Sequence, residues 1–412
     1  MNRRPHAIRA VLFAASAVAS LGALGAGCGG DGVKVEPTAV ESGTVPAPGD
    51  GTPTEAGAPE TGAPNTCGAT TLLANPEDLS AKGAWAVGAK HATVGGLSVE
   101  IWYPANLTAA VGQTKLRYDI RDDLPANQAT KITDEANPYQ PCNDCYRDLP
   151  LDAEHGPYPL VVFIHGTAGF KTQNLDNMVH WASRGFIVMA ANHPGLSIGS
   201  FVGGGGQQNL KADVEAEIAG MKASAGALAS FAGHVDFARL GLAGHSAGGN
   251  GVSQMGDLPG VGVIVELSSG NVAGGASDRS ALFVSGLADT VAAFSNVKRG
   301  YDDSKPRKRL VGITDVGHTG VTSLCGIQNA KGESIVEVAI ATGVLSGPLA
   351  GFAGTLFDCA KNKTPQSEAI PIVNFATAGV LEEKLHCSTN VAAALDTVQA
   401  KFPRVATYAH AP

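Results

Sequence analysis

In the stretch "RLGLAGHSAGGNG", residues 239–251, Ser246 stands between Gly244 and Gly248. A hydroxyl on a tight turn between two glycines is a candidate nucleophile for acyl transfer, since glycine tolerates the backbone strain and close approach that such a turn imposes. The pattern alone is weak here. The chain has 53 glycines in 412 residues, and a second match runs from Gly195 through Ser197 to Gly199. The chemistry therefore has to be sought in a set. A serine needs a neutral imidazole to take its proton, and a carboxylate to fix that ring's tautomer and stabilise its charged form. Asp289 ends "ALFVSGLAD" and His318 ends "RLVGITDVGH", giving the order serine, acid, histidine. Glu266, at the end of the intervening apolar run, is the alternative acid; Asp315 lies too near His318 on one turn to be favoured. Negative charge on the former carbonyl oxygen needs backbone N–H donors. Ala247, directly after the serine, is one. Thr167 in "HGTAGF" is the other, with Ala168 as second choice.

These residues need a frame that presents them along one edge. "YPLVVFIHG" is a continuous apolar run ended by glycine, as expected of a strand buried on both faces. "FIVMAANHP", "RLGLAGHS", "VGVIVELSS", "ALFVSGLAD" and "RLVGITDVGH" read in the same way, whereas "LSVEIWYPA" alternates, with Leu97, Val99, Ile101 and Tyr103 on one face. Between them lie amphipathic runs, a short helix in "NLDNMVHWASRG" and a long one in "ADVEAEIAGMKASAGALASF". Alternating strands and helices specify an α/β class with a mostly parallel, doubly wound sheet and helices on both faces. Such a sheet places its ligands beyond the carboxyl ends of its strands, where Asp289 and His318 fall. Strand, glycine-flanked serine and small-residue helix occur in succession only around Ser246; Ser197 runs into "FVGGGGQQ" and reads as a loop residue.

From about residue 95 to 325 the chain resembles the α/β-hydrolase superfamily, nearest to dienelactone-hydrolase-like, platelet-activating-factor-acetylhydrolase-like and cutinase-like esterases. The resemblance rests on "IWYPA", "PLVVFIHGTAGF", "ANHPG", "GHSAGG", "GLADT" and "GHTGV", which occur in that group's order. It implies the α/β-hydrolase fold and serine-dependent hydrolysis of carboxylic esters without metal or cofactor. Dienelactone hydrolases proper use a cysteine where this chain has Ser246, so their particular reaction is not implied. The polar, proline-containing insertion at 107–157 and most of the chain after His318 lie outside the resemblance.

Composition sets the remaining bounds. Hydrophobic residues make up 44% and charged residues 16%, which describes a chain able to bury a sizeable core. A net charge of −8 argues against a nucleic-acid partner, which would need a clustered basic face. Arg3, Arg4 and Arg9 precede the apolar run "AVLFAASAVASLGALGAG" and Cys28, so residues 1–28 read as an export signal. Their end resembles the lipobox of bacterial lipoproteins, which implies lipidation at Cys28. Leu24 stands one place earlier than in that pattern, leaving plain secretion or an uncleaved anchor as alternatives. Residues 29–75, rich in Gly, Ala, Pro and Thr, read as a flexible linker, and 76–412 as the catalytic domain carrying the insertion. The membrane is then reached only through an N-terminal lipid. Six further cysteines, Cys67, Cys142, Cys145, Cys325, Cys359 and Cys387, are disulfide candidates in an exported chain. No second C-x-x-C or spaced histidine pair accompanies Cys142 and Cys145, so structural disulfides are favoured over zinc. The expected activity is hydrolysis of short- or medium-chain esters, extending to polyester or lipid esters. An amidase or peptidase using the same residues is the enzymatic alternative, and a non-catalytic surface binding module the other. The interval "SGNVAGGASDRS" is too short for a helical cap, so the 200–206 glycine run and the insertion are expected over the site.

Overall fold

The computed structural model describes residues 71–359 and 362–412. The expected export signal with Cys28, most of the linker and Cys67 lie outside the described residues. The apolar runs form strands because neither face of such a segment can meet water. In chain order the strands are β1 (Ala86–Val94), β2 (Leu97–Ala105), β3 (Arg117–Tyr118), β4 (Gln140–Pro141), β5 (Cys145–Arg147), β6 (Tyr158–Ile164), β7 (Ile187–Ala191), β8 (Val235–His245), β9 (Val261–Leu267), β10 (Ser280–Gly286), β11 (Arg307–Ile313) and β12 (Val405–Ala411). Ten of them form one sheet in the order β12-β11-β10-β9-β8-β6-β7-β2-β1-β5, while β3 and β4 pair separately. From β7 through β11 the pairing is parallel; β12, β2 and β1 add antiparallel neighbours at the two sides.

Successive side chains of β6 serve opposite layers. Val161 and Phe163 join the layer with helices Leu175–Ser183 and Gln366–Leu385; Leu160, Val162 and Ile164 join the layer with Leu210–Ala223, Ala247–Ser253 and Phe294–Asp303. Each fully buried Leu, Val or Phe contributes about 1.5–3 kcal/mol. Some polar groups within these layers pair across elements, as where Trp181 Nε1 donates to Thr377 Oγ1 at 2.8 Å. This is the doubly wound α/β arrangement that the alternation of runs implies.

Several elements differ from the sequence reading. The long helix expected over 212–231 stops at Ala223, where Ser224 takes a left-handed φ of 45°, and a 3₁₀ turn follows over Gly226–Phe231. Ser197 is not a loop residue but the N-cap of a helix, Ile198–Gly203, its Oγ accepting from Ser200 N at 3.4 Å. The glycine run ends this helix, at Gly204 with φ 99°, rather than forbidding it. The insertion does more than lie on the surface. Its β5 extends the sheet beside β1, with Cys145 buried and bonded to Cys142. It also covers the second face of β2, where buried Glu100 pairs with Arg147 at 2.6 Å and accepts from Tyr118 Oη at 3.0 Å. That cover is why β2 is buried on both sides despite its alternating sequence. Thr71 bridges to Gly156, and Asn75 Nδ2 donates to Arg184 O at 2.9 Å, so the last residues of the expected linker already pack. Two disulfides join Cys142 to Cys145 and Cys325 to Cys359, and Cys387 is also disulfide-bonded.

Desolvation lowers the pKa of the buried His165, His180 and His245 and of the half-buried His386 to about 3 each. Because the folded values lie below the unfolded one near 6.5, their contribution to stability is complete above pH 6.5 and is lost as pH falls toward 3. The melting temperature should therefore fall steadily from pH 6.5 to 4. His386→Phe, at the residue stacked on Phe186 with 4.2 Å between ring centroids, should make the pH slope shallower by about one proton. A melting temperature unchanged between pH 7.5 and 5 contradicts this account.

Candidate active site

Strand β8 ends at His245, Ser246 follows with φ 54° and ψ −120°, and helix Ala247–Ser253 begins at once. A positive φ is costly for serine and survives only where the surroundings enforce it. Here the enforcement is crowding. A Cβ on Gly248 would lie 2.2 Å from Ile164 O and 2.5 Å from His165 O, and one on Gly244 would lie 2.4 Å from the carbonyl carbon of Gly248. The two glycines let the helix start pass against the end of β6.

Around this turn the tertiary structure collects residues from three other strand ends. His318 Nε2 lies 2.9 Å from Ser246 Oγ, and His318 Nδ1 lies 2.9 Å from Asp289 Oδ2. The other carboxylate oxygen of Asp289 accepts the N–H groups of Val291 and Ala292, both at 2.8 Å, which fixes the carboxyl plane. With Nδ1–H donated to Asp289, the lone pair of Nε2 faces the serine hydroxyl and can take its proton. The imidazole is fully buried while Ser246 is half-buried. Glu266 is elsewhere: it accepts from Ser269 Oγ at 2.8 Å, and burial pushes its pKa up to about 8. Asp315 faces Arg404 at 3.9 Å.

The loop after β6 lies against the serine, since a Cβ on Gly166 would come within 3.3 Å of Ser246 Cβ. Ala168 N–H is already donated to Leu196 O at 2.8 Å. Thr167 N–H makes no hydrogen bond among the described residues, and Ala247 N–H belongs to the first helical turn, where no carbonyl within the helix is available to it. Thr167 and Ala247 therefore remain the donors able to face a developing oxyanion.

Several contributors escaped the sequence reading. Gly166 N–H donates to Gln173 Oε1 at 3.0 Å, and from Gln173 a buried chain of amides runs through Asn174 and Asn177 to Asn374 at 3.2, 2.9 and 2.8 Å. Asn174 also donates to Val321 O at 3.2 Å, so one network holds both the loop after β6 and the segment after His318. Asp358 and Asn362 bind the backbone around His318. Spacing in "KTQNLDNMVHW" places three amides at one helix start, a signal that polar composition at a turn readily hides. Residues 268–279 hold no helix. Ile120 of the insertion packs with Phe170, Leu324 and Ile327, and two short helices follow His318, Ile335–Ala341 and Pro348–Leu356. Phe352 of the latter stacks on Phe201 with 5.6 Å between centroids.

The two carboxylates make separable predictions. Asp289→Asn should lower turnover by about 10⁴-fold, because the amide favours the wrong imidazole tautomer, whereas Glu266→Gln should keep most of it. Glu266 titrates higher folded than unfolded, so the stability it contributes is complete below about pH 4.5 and is lost as pH rises through about 8. The melting temperature of Glu266→Gln relative to the native protein should accordingly rise between pH 5 and 9. A Glu266→Gln protein that folds but is inactive would reverse the two assignments.

Residues 135–255 match the family model described as Chlorophyllase, less than half of the chain. No curated protein matches it. The matched segment contains both the "HGTAGF" loop and the turn around Ser246. Together with the mostly parallel ten-stranded sheet, this similarity makes the chain a carboxylic ester hydrolase of the α/β-hydrolase type.

Proposed function

We propose that the protein is an exported serine esterase that works through an acyl-enzyme on Ser246. The observation carrying this reading is the unbroken contact from Ser246 Oγ through His318 to Asp289 at a strained strand-to-helix turn. His318 Nε2 takes the serine proton as Oγ bonds to the ester carbonyl carbon. Thr167 and Ala247 N–H groups bind the oxyanion, each contributing about 3 kcal/mol to the barrier reduction. Collapse expels the alcohol, which receives the proton from His318. Water then attacks the acyl-enzyme, gives its proton to His318, and the acid leaves as the proton returns to Ser246.

The surroundings support an ester with one apolar part of short or medium length. Ala168 and Phe170, beside the oxyanion donors, line a small apolar cavity with Ile120, Leu124, Ile198 and Phe357. The basic and apolar N-terminal segment ending at Cys28 supports export with lipid attachment there, and disulfides accord with an oxidising compartment.

A fluorophosphonate should label the native protein and Ser197→Ala but not Ser246→Ala; labelling that persists in Ser246→Ala removes the assignment. Rates on p-nitrophenyl acetate and butyrate should exceed those on the matching anilides, and anilide rates as high as ester rates would favour the amidase reading. Activity that appears only when long-chain esters form droplets would instead mark the short helices after His318 as an interfacial lid. Cys28→Ser should move the protein from the membrane to the soluble exported fraction.

A further inference from the structure

Three consecutive backbone N–H groups around His318 are bound by side chains from a single later segment. Gly317 N–H donates to Asn362 Oδ1 at 2.6 Å. His318 N–H donates to Asp358 Oδ2 at 2.9 Å, and Thr319 N–H to Asp358 Oδ1 at 3.1 Å, where Thr319 Oγ1 also donates at 3.1 Å. Successive N–H groups turned to one side form a concave site for an anion, and the two oxygens of a carboxylate match a pair of them. Asp358 is buried, and its neighbour Cys359 is cross-linked to Cys325, seven residues after His318. Asn362 Nδ2 reaches the sulfur of Cys325 at 3.2 Å, so the same cross-link backs both clamp residues. The fit leaves no slack. A Cβ on Gly317 would lie 2.5 Å from Asp358 Oδ2, and one on Gly320 would lie 2.6 Å from Asn362 Oδ1.

We propose that Asp358 is a positioning residue for the reaction: with Asn362, and held by the Cys325–Cys359 disulfide, it fixes the backbone from which the His318 imidazole reaches Ser246. The proposal rests on the reading of His318 as the general base. Asp289 orients the ring through Nδ1, but the ring's distance from Ser246 also depends on where its own Cα is held. The segment between β11 and the 3₁₀ turn Leu324–Gly326 has no ladder of its own, and among the described residues only this clamp binds the N–H groups of residues 317–319. Asp358 touches neither substrate nor the reacting atoms; it acts through the histidine.

The test compares Asp358→Ala, Asp358→Asn and His318→Ala in the full chain with p-nitrophenyl butyrate, each rate normalised to folded protein by thermal melting. Asp358→Ala should lower kcat about 10²-fold, the effect expected of a small misplacement of a reacting group, with KM little changed. Asp358→Asn keeps one acceptor oxygen and should recover part of the loss. The rate of fluorophosphonate labelling at Ser246 should fall in the same order. The double variant Cys325→Ser with Cys359→Ser should likewise lower kcat rather than raise KM. Wild-type kcat in folded Asp358→Asn and in the double variant overturns the proposal, as does a loss confined to KM. If His318→Ala is itself active, the reading of the base fails; if it is inactive while the Asp358 variants keep wild-type kcat, the positioning role alone fails.

Discussion

Everything at the site depends on a close approach of backbone to backbone. The end of β6, the turn at Ser246 and the first turn of the following helix occupy a space that admits no Cβ at Gly244 or Gly248. That crowding holds a serine at a φ of 54°, which an unsupported chain would abandon. Its result is a hydroxyl lifted off the sheet edge, with a helical N–H beside it and the loop after β6 against its flank. Relaxing any one of these contacts loosens the others.

The parallel strands then act as a common origin. Because β8, β10 and β11 run in the same direction, the serine, the aspartate and the histidine all emerge at one edge although many residues separate them in the chain. Crossovers between the parallel strands put helices on both faces, and those helices carry apolar area that packs on the sheet. Helix Gln366–Leu385 is the main cover of one layer, and it also brings Asn374 into the amide chain that reaches back to Gly166. The same element thus stabilises the core and ties the edge where the chemistry lies.

Loops at that edge cannot pair in ladders, so their N–H groups must find partners elsewhere. Side-chain carboxylates and amides take that place: Asp289 on the loop after β10, Gln173 behind Gly166, Asp358 and Asn362 behind His318. Thr167 N–H, by contrast, is left without such a partner among the described residues.

The sequence by itself determined the sheet class and the strand–turn–helix at Ser246, and it marked Asp289 and His318 as candidates in that order, because long apolar runs and glycine-flanked turns are local signals. It favoured Asp289 as the acid and kept Glu266 as the alternative, since both end apolar runs. Only the sheet decided that one carboxylate meets His318 Nδ1 while the other is buried against Ser269. It was silent on β1, on the edge strand β12, both of weak alternation, and on helix Gln366–Leu385, which is apolar around most of its girth and contains Pro371. The helix capped by Ser197 was hidden by its glycines, although a turn and a half needs few good helix formers. The clamp at Asp358 was invisible for another reason. An aspartate beside a cysteine, 40 residues beyond the histidine it supports, acquires its meaning only when a disulfide and the fold bring the two segments together.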